Sequence, residues 1–283
     1  MTARGEHTTD QFSDDSVVSH YRGNVDQGLY THEAAAVSFF GEPPARVLDL
    51  GCGAGRTTKL LDAAGFDVVG IDVSERMIES ARELVAGPEF LVAEACQLPF
   101  DDVSFDHALF SYNGIDYIQT ERRRERALRE IRRVLRPGGY FAFSSHNARR
   151  VAGAKLFHPM YYFRTLQFWV ENARAGTLGS RYKFSEGRRR YQIAPPHQRS
   201  QLREAGFTPV DTFTQFPFEP LAPIDPWPYY VARKPPRGTT GGDESVRETN
   251  SGDEPAHETN SGEDSAHVRT PGGESTSSIR TQE

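Results

Sequence analysis

Three glycines alternate with other residues in Val47-Leu48-Asp49-Leu50-Gly51-Cys52-Gly53-Ala54-Gly55-Arg56-Thr57-Thr58. An apolar strand runs into a turn and then into a helix expected over 56–64. Glycine at 51, 53 and 55 lets the backbone take φ > 0 and lets a ligand lie against bare main chain. The helix start that follows offers unpaired N–H groups and the positive end of its dipole. This is the layout of a nucleotide-type cofactor site at the carboxyl end of a first parallel strand. The dinucleotide fingerprint G-x-G-x-x-G needs glycine at 56, where this chain has Arg56. The pattern is instead acid-x-G-x-G-x-G. Asp49 disfavours a pyrophosphate and suits a ligand that carries an ammonium group. Asp72 ends the apolar run Val68-Val69-Gly70-Ile71, seventeen residues beyond Gly55. That is near the spacing at which an acid grips ribose hydroxyls.

Further segments follow in order. Ser74 is placed to cap a helix, with Met77 one turn in. Glu94-Ala95-Cys96-Gln97-Leu98-Pro99-Phe100 follows a third short strand. Ser104-Phe105-Asp106 leads into a fourth, and Leu135-Arg136-Pro137-Gly138-Gly139 into a fifth. Together these segments resemble the class I S-adenosylmethionine-dependent methyltransferases over roughly residues 21–234, in the small-molecule and quinone-biosynthesis style. The resemblance implies S-adenosylmethionine as cofactor and a set of roles. Gly51, Gly53 and Gly55 would admit the methionine moiety, with Cys52 in the same turn, and Asp49 would face its ammonium. Asp72 would hold the ribose. Val73 and Met77 would pack one adenine face, Cys96 the other, and Glu94 and the Ala95 N–H would read its edge. Ser111 would supply a carbonyl to the cofactor's amino group. Tyr30, from an N-terminal helix lying over the cleft, is a further cofactor contact, with Arg22 as a weaker one.

Elements must then position these groups. Short, near-continuously apolar runs at 46–50, 67–71, 89–92, 105–110 and 139–144 read as strands buried on both faces. Helical patterns at 56–64, 74–86 and 120–134 alternate with them. The expected fold is α/β: a doubly wound, mostly parallel seven-stranded sheet with helices on both faces. A final helix at 197–206 and an antiparallel C-terminal strand pair, 210–216 and 227–232, close it. The segment 148–196 interrupts the alternation with Phe157, Tyr161, Tyr162, Phe163, Phe168 and Trp169. It reads as a lid-like insertion over an acceptor pocket.

Charge separates fold from tail. The 283 residues carry net −6, yet ten of the 39 acids and only three of the 33 basic residues lie in 238–283. The tail is therefore −7 and the rest of the chain +1. Within it, 248–257 is nearly repeated by 258–267, with too few apolar residues to bury a face. Residues 235–283 are read as a disordered acidic tail, 17–234 as the methyltransferase domain and 1–16 as a flexible arm. Cys52 and Cys96 are the only cysteines, which favours a reducing compartment. With no apolar leader and no membrane-length apolar run, a cytoplasmic protein is expected.

Chemistry beyond the cofactor rests on fewer residues. His146, at the end of the fifth strand, is the candidate general base. Tyr112, Asp116 and His158 are weaker ones. The expected reaction is in-line methyl transfer to a small-molecule acceptor, without metal. The helix 121–136 holds eight arginines and three glutamates. It reads as a solvated outer face with Glu125–Arg129 and Arg126–Glu130 pairs, so a nucleic-acid partner is disfavoured. The alternatives are an RNA methyltransferase using those arginines and a non-catalytic cofactor-binding scaffold. Acceptor atom and oligomeric state have no signature in the sequence.

Overall fold

A computed structural model describes residues 12–149, 159–174, 176, 181–185, 188–215 and 225–236. The sheet comprises β1 (Arg46–Leu50), β2 (Asp67–Asp72), β3 (Glu89–Val92), β4 (Phe105–Phe110), β5 (Leu135–Ser144), β8 (Thr208–Phe213) and β9 (Tyr229–Arg233). Its order is β3-β2-β1-β4-β5-β9-β8. β3 to β5 run parallel, and β9 pairs antiparallel with both β5 and β8. The expected seven-stranded doubly wound sheet and its antiparallel closing pair are both present. A separate hairpin joins β6 (Tyr182–Ser185) to β7 (Arg188–Tyr191).

Both sheet faces are covered, which is why the central strands are apolar throughout. Ala127, Leu128, Ile131 and Val134 of the helix Glu121–Val134 cover one face, joined by Leu202 of the helix Pro195–Glu204. Ala36 and Val37 of Thr31–Val37, Phe40 and Leu61 of Arg56–Ala63 cover the other. Strand order reverses between β1 and β4, so their carboxyl ends splay apart and leave a crevice.

Several boundaries differ from expectation for local reasons. The last helix starts at Pro195, not 197, because proline's fixed φ and missing N–H suit a first helical turn. β9 starts at Tyr229, not 227. Pro226 and Pro228 have no N–H for a ladder and offer only carbonyls, which accept from Asn147 and Ser145. β5 starts at Leu135, which already pairs with Phe105 before a register shift. Gly139 lies just past that shift, and a Cβ there would overlap the Asp106 carbonyl oxygen. Gly139→Ala is expected to cost about 1–3 kcal/mol, read by urea denaturation; an unchanged midpoint would show that β4 and β5 can separate there.

Residues 12–16, expected within the flexible arm, pack on the domain. The Phe12 ring lies 5.0 Å from that of Tyr117, and the Phe12 carbonyl accepts from Ser74 Oγ. The helix Asp15–Gly23 begins there, capped by Asp14. No helix among the described residues is long and apolar enough to cross a membrane. Most of the tail, and His158, lie outside the described residues.

Candidate active site

A cavity of about 280 Å³ opens at the carboxyl ends of β1, β2 and β4. Gly51 and Gly53 form its floor after β1. Both have positive φ, at 61° and 56°. A Cβ on Gly51 would meet Phe110 at 2.7 Å, so only glycine fits this turn. Asp72 and Val73 follow β2 into the cavity, Met77 comes from the first turn of the helix Glu75–Leu84, and Glu94 and Ala95 follow β3. Ser111 enters after β4, and Phe12 and Tyr21 roof the space from the N-terminal segment.

Asp72 is fixed by its own backbone neighbours. One carboxylate oxygen accepts from Gly53 N–H at 3.0 Å, the other from Ser74 N–H at 2.9 Å. Burial raises its carboxyl above the usual range, and these backbone donors oppose that. A carboxylate has about four lone-pair positions, so each oxygen keeps capacity for a ligand hydroxyl.

Five expected cofactor residues do not line this cavity. Asp49 is fully buried beneath it. Its Oδ2 accepts from the hydroxyls of Thr57 and Thr58, both at 2.6 Å, because the first helical turn folds back over the strand end. Its Oδ1 has no hydrogen-bond partner among the described residues, and burial pushes the carboxyl up to about 6. Cys52 is buried in the turn, its N–H given to the Ile71 carbonyl. Gly55 begins the helix at φ 95° against Val85 and Phe90. Cys96 turns inward and donates to the Arg123 carbonyl. Tyr30 faces a different cavity. Glu94 lines the first cavity but is already paired with Arg123.

That second cavity, about 430 Å³, shares Tyr21, Tyr112 and Tyr117 with the first. Tyr112 and Asn113 both take left-handed backbone, φ 53° and 58°, at the end of β4. The Asn113 N–H donates to Ser144 Oγ at 2.7 Å, holding this turn on β5. His146 lines the cavity, and Arg190 reaches it from β7.

Behind His146 lies a buried network. Asp116 and Arg124 are both fully buried and pair at 2.9 Å. Asp116 also accepts from Ser145 Oγ, from His146 N–H and from His146 Nδ1 at 2.9 Å. Four hydrogen-bonding groups, the Arg124 guanidinium among them, converge on this one carboxyl, so His146 Nδ1 is assigned as a donor to it, and Nε2 faces Arg190 Nη1 at 3.5 Å. Arg124 departs from the reading of this helix's arginines as a solvated outer face: it also binds the Ile115 carbonyl and Gln198 and lies 4.5 Å from the Tyr191 ring centre. Glu125–Arg129 pairs as expected, at 4.0 Å, whereas Glu130 pairs with Arg133.

A second buried pair has no counterpart in the sequence reading. Glu33 is fully buried and holds Arg56 through two hydrogen bonds, at 2.7 and 3.0 Å. Burial alone would raise its carboxyl, but the Arg56 charge and hydrogen bonds win and hold it low. Ser111 Oγ and the Tyr229 hydroxyl also donate to Glu33. The N-terminal helix is thus tied to the glycine turn and to β4 and β9. The available signal was Arg56 itself, a cation where a glycine-rich loop meets its helix.

Known proteins resemble this chain in sequence and in fold. A family model described as a methyltransferase domain matches residues 48–143. The demethylmenaquinone methyltransferase of Clavibacter sepedonicus is 43% identical over 119 residues, 41% of this chain and 47% of that protein. The chain spans under half the length of the first four curated relatives it matches. The solved 1,6-didemethyltoxoflavin-N1-methyltransferase of Burkholderia thailandensis, with bound 1,6-didemethyltoxoflavin and S-adenosylhomocysteine, superposes with TM-score 0.52 at 20% identity. It covers 83% of this chain and 93% of that one, a likeness of fold. The demethylmenaquinone methyltransferase of Thermotoga maritima is 30% identical over 183 residues, 63% of this chain and 73% of that protein. A likeness sustained along nearly three quarters of a relative reaches well beyond one glycine turn, and the chain belongs to the class I S-adenosylmethionine-dependent methyltransferase family.

Proposed function

We propose that this protein transfers a methyl group from S-adenosylmethionine to a small-molecule acceptor, the cofactor in the first cavity and the acceptor in the second. The observation that carries this is the wall they share: Tyr21, Tyr112 and Tyr117 border both, with Asp72 on one side and His146 on the other. When bound, the cofactor supplies an electrophilic methyl on a sulfonium. The residues present fit it. Asp72 has acceptor capacity for two ribose hydroxyls. Val73 and Met77 offer an apolar face to adenine, beside Ala95 and Glu94. Ser111 lies where the amino-acid end would reach, and the unpartnered Asp49 Oδ1 gives negative charge beneath the glycine turn. The tyrosine wall orients the acceptor, and such positioning is worth roughly 7–11 kcal/mol of the barrier. His146, with Nε2 free of hydrogen, takes the acceptor's proton, and Asp116 holds the ring in that tautomer.

Arg190 reaches the second cavity from inside 148–196, which supports the reading of that insertion as a lid. Two buried, unpaired cysteines agree with a cytoplasmic setting. Arginines 123, 124, 129 and 133 are engaged in ion pairs, which weighs against a nucleic-acid surface. Incubation with isotope-labelled methyl donor and a metabolite extract tests the reading: it requires label in a small molecule, and label found only in RNA would refute it.

Asp49 gives a pH signature. Its raised carboxyl keeps its proton in the folded state to about pH 6, while the unfolded chain loses it lower. Its contribution to stability therefore falls as pH rises toward 6, by roughly 3 kcal/mol in all. Asp49→Asn removes this slope. The ligand-free variant should gain on wild type by about 1–3 kcal/mol between pH 4 and pH 7 in urea denaturation. A constant difference across that range would place the titration elsewhere.

A further inference from the structure

The second cavity is walled by rings. Among its described lining residues nine carry a flat ring, five tyrosines, three histidines and Trp227, and Val17 is the single aliphatic one. The rings brace one another. Centre to centre, Tyr112 stands 5.9 Å from Tyr21 and 6.4 Å from Tyr30, Tyr30 stands 5.9 Å from His32, and His32 stands 5.0 Å from Tyr229. The Arg56 guanidinium lies 5.5 Å from the Tyr30 ring centre. A wall packed in this way needs little ordering when a ligand arrives.

Tyr112 is the residue of this wall that packing does not explain. Its backbone is left-handed, at φ 53°, and Asn113 follows at 58°. Asparagine tolerates that region, whereas a bulky aromatic residue seldom adopts it. Such strain persists where the surroundings hold it, and it gathers at ligand clamps. Here the bond from Asn113 N–H to Ser144 Oγ holds the turn. Burial does not offset the strain, because Tyr112 is 42% exposed. Trp227, on the same cavity, is 41% exposed. Two large aromatic side chains thus keep uncovered surface beside one cavity.

We infer that the second cavity takes a flat aromatic ring as acceptor, and that Tyr112 is the platform on which that ring lies. This deepens the methyltransferase reading and rests on it. Stacked and edge-on ring pairs gain beyond the area they bury, and a puckered saturated ring cannot form them. Tyr112 borders both cavities, so a ring lying on it is next to the cofactor site. Tyr112 and Trp227 determine specificity for planarity, a role separate from proton removal by His146.

The test uses the full chain saturated with S-adenosylhomocysteine. The probes are 2-naphthalenemethanol and decahydro-2-naphthalenemethanol, which share a fused bicyclic skeleton and one alcohol and differ in planarity. Choline, an ammonium without a ring, is the third probe, since aromatic cages also hold such cations. Calorimetry gives the affinities. The flat alcohol is expected to bind at least about tenfold more tightly than the puckered one, and more tightly than choline. Tyr112→Leu should weaken the flat alcohol by about tenfold and the puckered one by less than about threefold. Tyr112→Phe should keep the preference. Trp227 lines the second cavity and not the first, and Trp227→Leu should reduce the preference as well. Binding of S-adenosylhomocysteine by each variant reports folding; should Tyr112→Leu not fold, the wild-type ratio and Trp227→Leu decide. Equal or tighter binding of the puckered alcohol or of choline overturns the inference, as does failure of a protein that holds S-adenosylhomocysteine to bind either alcohol. Tyr112→Leu without effect, or weakening both alcohols alike, overturns the platform role. Failure of the wild type to hold S-adenosylhomocysteine removes the methyltransferase reading itself, and this inference with it.

Discussion

Asp72→Ala should lower affinity for S-adenosylhomocysteine by about a hundredfold or more. Two ribose hydroxyls donating to one carboxylate make two charge-assisted hydrogen bonds, each worth about 1.5–3 kcal/mol. Losing both costs roughly 3 kcal/mol at the least, and each 1.4 kcal/mol is tenfold in affinity. The variant also strips acceptors from Gly53 N–H and Ser74 N–H, which together shape the turn over which the ligand lies. Asp72→Asn keeps one carbonyl acceptor and should fall between, at about tenfold. Isothermal titration checks both. Affinity unchanged in Asp72→Ala would mean that the ribose sits elsewhere.

Asp116→Ala should produce the largest loss of stability, about 3–5 kcal/mol in urea denaturation. The reason is the company Asp116 keeps. Arg124 has no exposed surface, and its partners besides Asp116 are a carbonyl, a glutamine and a tyrosine ring. Removing the carboxylate leaves a guanidinium buried without a counter-charge, which is costly in a way that loss of the pair as a whole is not. Arg124→Met combined with Asp116→Ala should therefore cost clearly less than the sum of the two single changes. Simple additivity would show that the two groups do not depend on one another. In the single Asp116→Ala variant, His146 also loses the acceptor that fixes its tautomer, so methyl transfer should fall by at least about a hundredfold.

The lining of the first cavity was legible in the sequence because much of it is built from contiguous motifs. Gly51, Gly53, Asp72 and Met77 sit at strand ends and helix starts, where local spacing alone sets position. The sheet was legible for the same reason, since strands covered on both faces read as unbroken apolar runs. Side-chain direction was less so. Asp49 reads as a ligand-facing acid, yet two threonine hydroxyls eight and nine residues later draw one of its oxygens under the turn. Tyr30 and Cys96 stand at suitable positions, but packing turns one toward the second cavity and the other into the core. Glu33 with Arg56, and Asp116 with Arg124, were hidden because each pair joins residues on separate elements. Arg124 in particular looks like any other arginine of its helix until Tyr191 and Gln198 arrive from the far side of the chain. Phe12 roofs the cleft from a stretch whose polar composition suggested a loose arm, beside Tyr21 of the helix that follows.

One structure tests the division of the site most directly: a crystal of the protein grown with S-adenosylhomocysteine. Both ribose hydroxyls should lie on Asp72, the adenine against Val73 and Met77, and the sulfur at the Tyr112 wall facing His146. A ligand with its ribose away from Asp72, or its sulfur turned from the second cavity, would contradict that division.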